Sequence, residues 1–134
     1  MLAKLPAREL RAAFVWLPVL PADDLAAARG SAARYPDPRI THFWDGERAL
    51  GWALGRTLAL PPRAAGHDNG LAWDAYLLYA RGVRWKPAAP PPAPSFWMHQ
   101  LYDAAKLAPH LDAAVLRERT EGLLAPAPTR AAPR

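Results

Sequence analysis

Apolar and polar positions follow two different rhythms along this chain, and the changes of rhythm mark its elements. Residues 12–20 form a continuous apolar run with Val15, Phe14 and Trp16, the pattern of a strand covered on both faces. Pro18 confines the end of that strand to an edge or a bulge. Pro21-Ala22-Asp23-Asp24 then predicts a helix start, because proline and acids suit the unsatisfied N–H groups and positive dipole there. The helix is expected to run to about Tyr35, weakened by Gly30-Ser31 and stopped by Pro36-Asp37-Pro38. Ile40 and Thr41 make 39–43 a short strand. Asp45 follows as the N-cap of a helix over 46–59. On it Leu50, Ala53, Leu54, Thr57 and Leu58 share one face. Gly51 and Gly55 stand one turn apart, a spacing that allows another backbone to approach closely.

Residues 61–70 read as a loop, with Asp68-Asn69-Gly70 its turn signal. Residues 72–79 form the next strand, and Ala80-Arg81-Gly82 turns the chain toward an antiparallel partner at 83–85. The proline-rich stretch 87–94 is expected to be extended and irregular. Ser95 is the expected cap of a helix over 96–107. Pro109 takes a first-turn position of a last helix that ends near Gly122, with Leu111, Val115 and Leu116 on its apolar side. Residues 2–10 have the look of the last turns of a helix. The expectation is one domain over 1–122 and a disordered tail over 123–134. Strands and helices in this order imply an α/β fold, an open sheet of mixed direction with helices on its faces.

Composition narrows the functions available. The chain has 134 residues, half of them hydrophobic, which is globular composition for a single domain. It contains no cysteine, which removes thiol chemistry, disulfides and cysteine-zinc sites from its own repertoire. The net charge of +5 rests on 14 arginines among 17 basic residues. They are dispersed, most near an acid, and form no run, so nucleic-acid binding is not the expected function. No apolar run approaches the ~20 residues of a membrane span. Lys4, Arg8 and Arg11 ahead of 12–20 imitate a short signal peptide. Glu9, Pro18 and the lack of a small-residue cleavage site favour the strand, and with it a cytoplasmic location.

Four strings carry a family resemblance: Phe14-Val15-Trp16-Leu17-Pro18-Val19-Leu20, Thr41-His42-Phe43-Trp44-Asp45, Ala72-Trp73-Asp74-Ala75-Tyr76-Leu77-Leu78-Tyr79 and Phe96-Trp97-Met98-His99-Gln100. With the element order they make roughly residues 1–107 resemble a bacterial thioredoxin-like protein. The resemblance implies a thioredoxin fold that is incomplete at its N-terminus. The family's central first strand and its Cys-x-x-Cys pair have no counterpart, and residues 70–75 lack the proline that usually precedes the hairpin. A sheet without its central strand leaves two neighbouring edges unpaired, at ~1–3 kcal/mol for each buried orphan group. The edges then close on each other, accept a strand from a partner chain, or mark a true start upstream of Met1.

The residues offering chemistry are few. His42, Asp45, Asp74 and His99 lie near aromatic strand ends, and two histidines with two carboxylates are a donor set for a divalent metal. Capping accounts for Asp45, and structural roles account for the rest. His67-Asp68 has poor relay geometry for an acid-base pair, and no hydroxyl stands in a nucleophile elbow. No catalytic residue or cofactor is therefore expected. Trp16, Trp44, Trp73 and Trp97 are expected in the core, whereas Trp52 and Trp85 are candidate partner anchors. Three functions follow: a redox-inactive binding or assembly module joined through a free sheet edge to a second copy or a protein partner; a fragment of a thiol-disulfide oxidoreductase with cysteines upstream; or a metal-dependent enzyme using His42 and Asp45.

Overall fold

The computed structural model describes residues 5, 9–61, 70–86, 88–100 and 107–125. His67-Asp68, most of the 2–10 segment and the tail from 126 lie outside the described residues. Seven elements follow in order: β1 (Ala12–Trp16), α1 (Leu25–Ala32), β2 (Ile40–Trp44), α2 (Ala49–Thr57), β3 (Ala75–Leu78), β4 (Phe96–His99) and α3 (Ala113–Leu124). The fold is mixed α/β. Its strands make two small sheets, β1 with β2 in parallel and β3 with β4 antiparallel, in place of the single open sheet expected.

The first unit is a strand–helix–strand crossover. β1 and β2 run in register from Ala12 opposite Ile40 to Trp16 opposite Trp44. Asp24 caps α1 by accepting from the Ala27 amide at 2.7 Å, and Asp23 ties the preceding turn by accepting from Val19 and Leu20. Asp37 accepts from the Arg39 guanidinium, which also donates to the Leu5 carbonyl, so the entry to β2 is anchored to the N-terminal segment. That pairing holds the Asp37 carboxyl at about 2.

Asp45 does what its sequence position suggested, from further away. Its carboxylate accepts the amides of Ala49, Leu50 and Gly51 at 2.8, 2.9 and 3.1 Å, satisfying the first turn of α2. The helix begins three residues later than expected because 46–48 form a turn that ends with Arg48 at φ 58°. Its buried line also differs: Gly51, Gly55 and Leu58 are buried, while Leu50, Ala53, Leu54 and Thr57 are half-buried. The two glycines permit the approach their spacing foretold. A Cβ on Gly55 would lie 1.7 Å from the Gly70 carbonyl oxygen, and one on Gly51 would lie 2.7 Å from Leu71 Cδ1 and 3.0 Å from Leu17 Cδ1. The Ala72 amide donates to the Gly51 carbonyl at 3.0 Å across that contact.

The second unit departs most from expectation. Residues 96–99 are strand β4, not the start of a helix, and they pair with β3 from Ala75 opposite His99 to Leu78 opposite Phe96. Residues 83–85, the expected partner, are exposed beyond the turn at Gly82 and join no strand among the described residues. The physical reason lies in Phe-Trp-Met-His: large side chains favour a pleated, packed surface, and there Met98 and His99 become fully buried. Ser95 closes the strand pair instead of capping a helix, accepting from Ala80 N while its own amide donates to Leu78 O. α3 starts at the Asp112 cap, runs two residues past the expected boundary at 122, and buries Leu116 and Thr120.

Replacing Gly55 by alanine is expected to destabilise the fold by at least about 1–3 kcal/mol, the usual cost of overpacking. The same change at Gly30, where an added Cβ meets nothing, should gain up to ~1 kcal/mol of helix propensity. Urea unfolding of both variants measures the contrast, and a Gly55→Ala protein as stable as the parent would refute the close approach.

Candidate functional site

The even-numbered side chains of β1 and β2 form an aromatic face. Phe14 packs edge-on against Tyr35 at 5.3 Å and His42 at 5.5 Å, and Trp16 stacks on His42 at 6.1 Å. Trp16 Nε1–H donates to His42 Nδ1 at 3.2 Å, which makes Nδ1 the acceptor and leaves the proton on Nε2, facing the Tyr35 carbonyl at 3.4 Å. In this tautomer His42 has no spare lone pair for a metal. Trp16, Trp44, Trp73 and Trp97 are half-buried, short of the core positions expected for them.

The other candidate ligands are committed elsewhere. Asp45 spends its carboxylate on three amides of α2. His99 is fully buried, and its Nε2–H donates to the Ala108 carbonyl at 2.9 Å. The backbone of His99 also bonds Pro109 and Leu111 on either side of His110, and the two imidazoles meet edge-on at 5.7 Å. Among the described residues no group of three or more His, Cys, Asp or Glu side chains is gathered to hold a metal. His42, Asp45, Asp74 and His99 are thus not brought together as one donor set. Of the two tryptophan anchors, Trp52 is half-buried on α2, and Trp85 is 46% exposed with its ring edge-on to Tyr79.

What the structure does show is strand edge without a ladder. Parallel pairing turns the N–H and C=O groups of Ala12, Phe14 and Trp16 toward β2, as the bonds from Ala12 N to Arg39 O and from Asp45 N to Trp16 O show. The groups of Ala13 and Val15 therefore point to the opposite edge, where they meet no backbone partner among the described residues. In β3 the bond from Gln100 N to Asp74 O sets the alternation, so Asp74, Tyr76 and Leu78 face β4. Ala75 and Leu77 face away, also without a backbone partner among the described residues. β4 is different, because the bridge to His110 pairs its outer edge at His99.

Two contacts link the segments that flank β1 and β3. Before β1 and after β3, Glu9 forms a salt bridge with Arg81. After β1 and before β3, Leu17 and Leu71 both pack near Gly51 of α2. No ladder joins β1 to β3 among the described residues. Just before β3 Asp74 holds φ 47°, a left-handed conformation that is uncommon outside glycine, and partial desolvation pushes its carboxyl upward. Burial, then Asp74 and Tyr35, also raise the Tyr76 phenol. Tyr79, just after β3, is pushed up to about 12 by burial, with its hydroxyl unpartnered.

Sequence reasoning foresaw unpaired edges but not which residues would carry them. The signal lay in Ala13, Val15, Ala75 and Leu77, small or aliphatic residues with no charge or proline to guard an edge. Comparison of the chain with protein-family models, with curated proteins and with solved structures finds no match in any of the three. No helix among the described residues is long and apolar enough to cross a membrane.

Asp74 supplies a pH test of this environment. A carboxyl raised by burial favours folding when protonated, so its folded form binds the proton more tightly and stability falls as pH rises from 3.8 through the raised value. Asp74→Asn removes the partly desolvated charge and suits the left-handed backbone. The variant is expected to be more stable than the parent at neutral pH and to lose that part of the pH dependence. Thermal unfolding across pH 3–7 checks both, and an Asn variant less stable at neutral pH would contradict the assignment.

Proposed function

We propose that the protein is a cysteine-free, redox-inactive binding or assembly module with a thioredoxin-like arrangement, and that its partner joins by strand pairing at the edges of β1 and β3. The observation that carries this reading is the pair of two-stranded sheets in which the amides and carbonyls of Ala13, Val15, Ala75 and Leu77 have no backbone partner among the described residues. An isolated two-stranded pair is marginal in water, and further strands or a packed helix steady it. The crossover unit followed by an antiparallel pair and a closing helix supports the thioredoxin-like arrangement, and the absence of cysteine supports a role in binding.

The occupant that fits is a second copy. β1 is Ala-Ala-Phe-Val-Trp, uncharged along its whole length, and an edge without charge pairs with itself about a twofold axis as readily as with any other strand. Phe43, 51% exposed on β2 beside Val15, would extend the contact with apolar surface.

Sedimentation equilibrium from micromolar to near-millimolar concentration tests the proposal. The mass is expected to rise from the 14.7 kDa of one chain toward twice that value. Ala13→Lys, which sets a charge on the edge, should return it to the monomer. A folded parent protein that stays monomeric throughout would sink the reading.

A further inference from the structure

The loop that follows β3 carries a surface that strand pairing does not use. All six residues of Arg81-Gly82-Val83-Arg84-Trp85-Lys86 are exposed, Val83 by 40% and Trp85 by 46%. Arg81 is paired with Glu9, but no carboxylate among the described residues pairs with Arg84 or Lys86. We infer that this loop docks an acidic peptide segment of another protein, with Trp85 as the apolar anchor and Arg84 and Lys86 as the carboxylate contacts. The surface is separate from the strand edges proposed for assembly, so the two readings stand or fall independently.

The loop is held in place rather than loose. Turns close both of its ends. Gly82 takes φ 86° and Ala88 φ 60°, and the Val83 and Ala89 amides donate to the carbonyls of Ala80 and Lys86, each at 3.3 Å. Its root is tied twice more, through the Arg81–Glu9 salt bridge and the bond from Ala80 N to Ser95 Oγ. Trp85 is seated edge-on against Tyr79 at 5.7 Å, which steadies the ring while nearly half of the residue stays in water. A side chain already held in position loses little freedom on binding, so more of its burial appears as affinity.

The chemistry of the loop selects the partner. One indole stands between two unpaired cations, and no acid occurs from 81 to 86. Tryptophan and arginine are the residues that dominate protein–protein hot spots. Arg84 offers the planar fork that matches a carboxylate, and Lys86 adds a point charge. The chain as a whole carries +5, so a second copy brings net repulsion to this surface where an acidic partner brings attraction. Two free cations are too few for other polyanions. A nucleic-acid strand is tracked by a basic groove with successive stacking rings. An anionic membrane is held by clusters of about 4–8 basic residues.

A fluorescently labelled random copolymer of glutamate and tyrosine is the probe, titrated with the full-length protein and followed by anisotropy. The copolymer is expected to bind, and Trp85→Ala to weaken it about tenfold or more. Arg84→Glu/Lys86→Glu should weaken it at least as much and remove most of its salt dependence. Ala13→Lys, which addresses the β1 edge, should leave the affinity unchanged. Failure of the copolymer to bind overturns the inference, as does binding that neither loop variant weakens. Oligothymidylate or phosphatidylserine vesicles bound more tightly than the copolymer through these residues would overturn the acidic peptide in favour of a nucleic acid or a membrane. A protein that associates with itself but ignores the copolymer loses this surface and keeps the assembly reading, and a monomer that binds the copolymer does the reverse.

Discussion

The approach of the 70–72 backbone to α2 is the constraint on which the rest of the molecule depends. It is possible only because Gly51 and Gly55 present bare backbone on one helix face, so that the Gly70 carbonyl lies where any other residue would have its Cβ. Each glycine costs a helix roughly 1 kcal/mol of propensity. The contact offsets that cost by burying Leu58, Leu71 and Ala72 and by giving the Ala72 amide a partner at Gly51. It also sets position. Leu17, just past β1, and Leu71, just before β3, meet at the same glycine, so the exit of β1 and the approach to β3 share one face of α2.

From that placement the allocation of polar groups follows. Asp24, Asp45 and Asp112 each serve the amides of a helix start, and the Asp37–Arg39 pair anchors the entry to β2. His42 orients Trp16 within the aromatic face, and His99 bridges β4 to the segment before α3. Side chains that resemble chemistry in a linear reading thus turn out to be joints. Besides the Tyr79 hydroxyl, the groups left without a partner among the described residues are on the backbone, at the edges of β1 and β3.

How far the sequence foretold this depends on the range of each interaction. β1, α1, β2 and the Asp45 cap were legible because local pattern and local hydrogen bonds decide them. The glycine pair was legible as a permission, since spacing shows that a backbone can approach but not which one does. β4 was misread for the opposite reason. Ser95 before an apolar run looks locally like a helix start, yet β3 outcompetes that preference by burying Met98 and His99 against a strand twenty residues away. Such pairing leaves no local trace. Nor does the free edge: the composition of β1 shows that nothing guards it, while the division of the strands into two sheets is a property of the assembled chain.

That division bears on how an edge so bare can persist. Natural sheets guard exposed edges with charge, proline or a bulge, because an open ladder recruits any strand that meets it. β1 carries none of these on its free edge, and β3 carries none either. A chain that left both edges permanently open would pair indiscriminately. Strand edges with neither a guard nor a ladder partner among the described residues are the physical ground for the assembly proposed above.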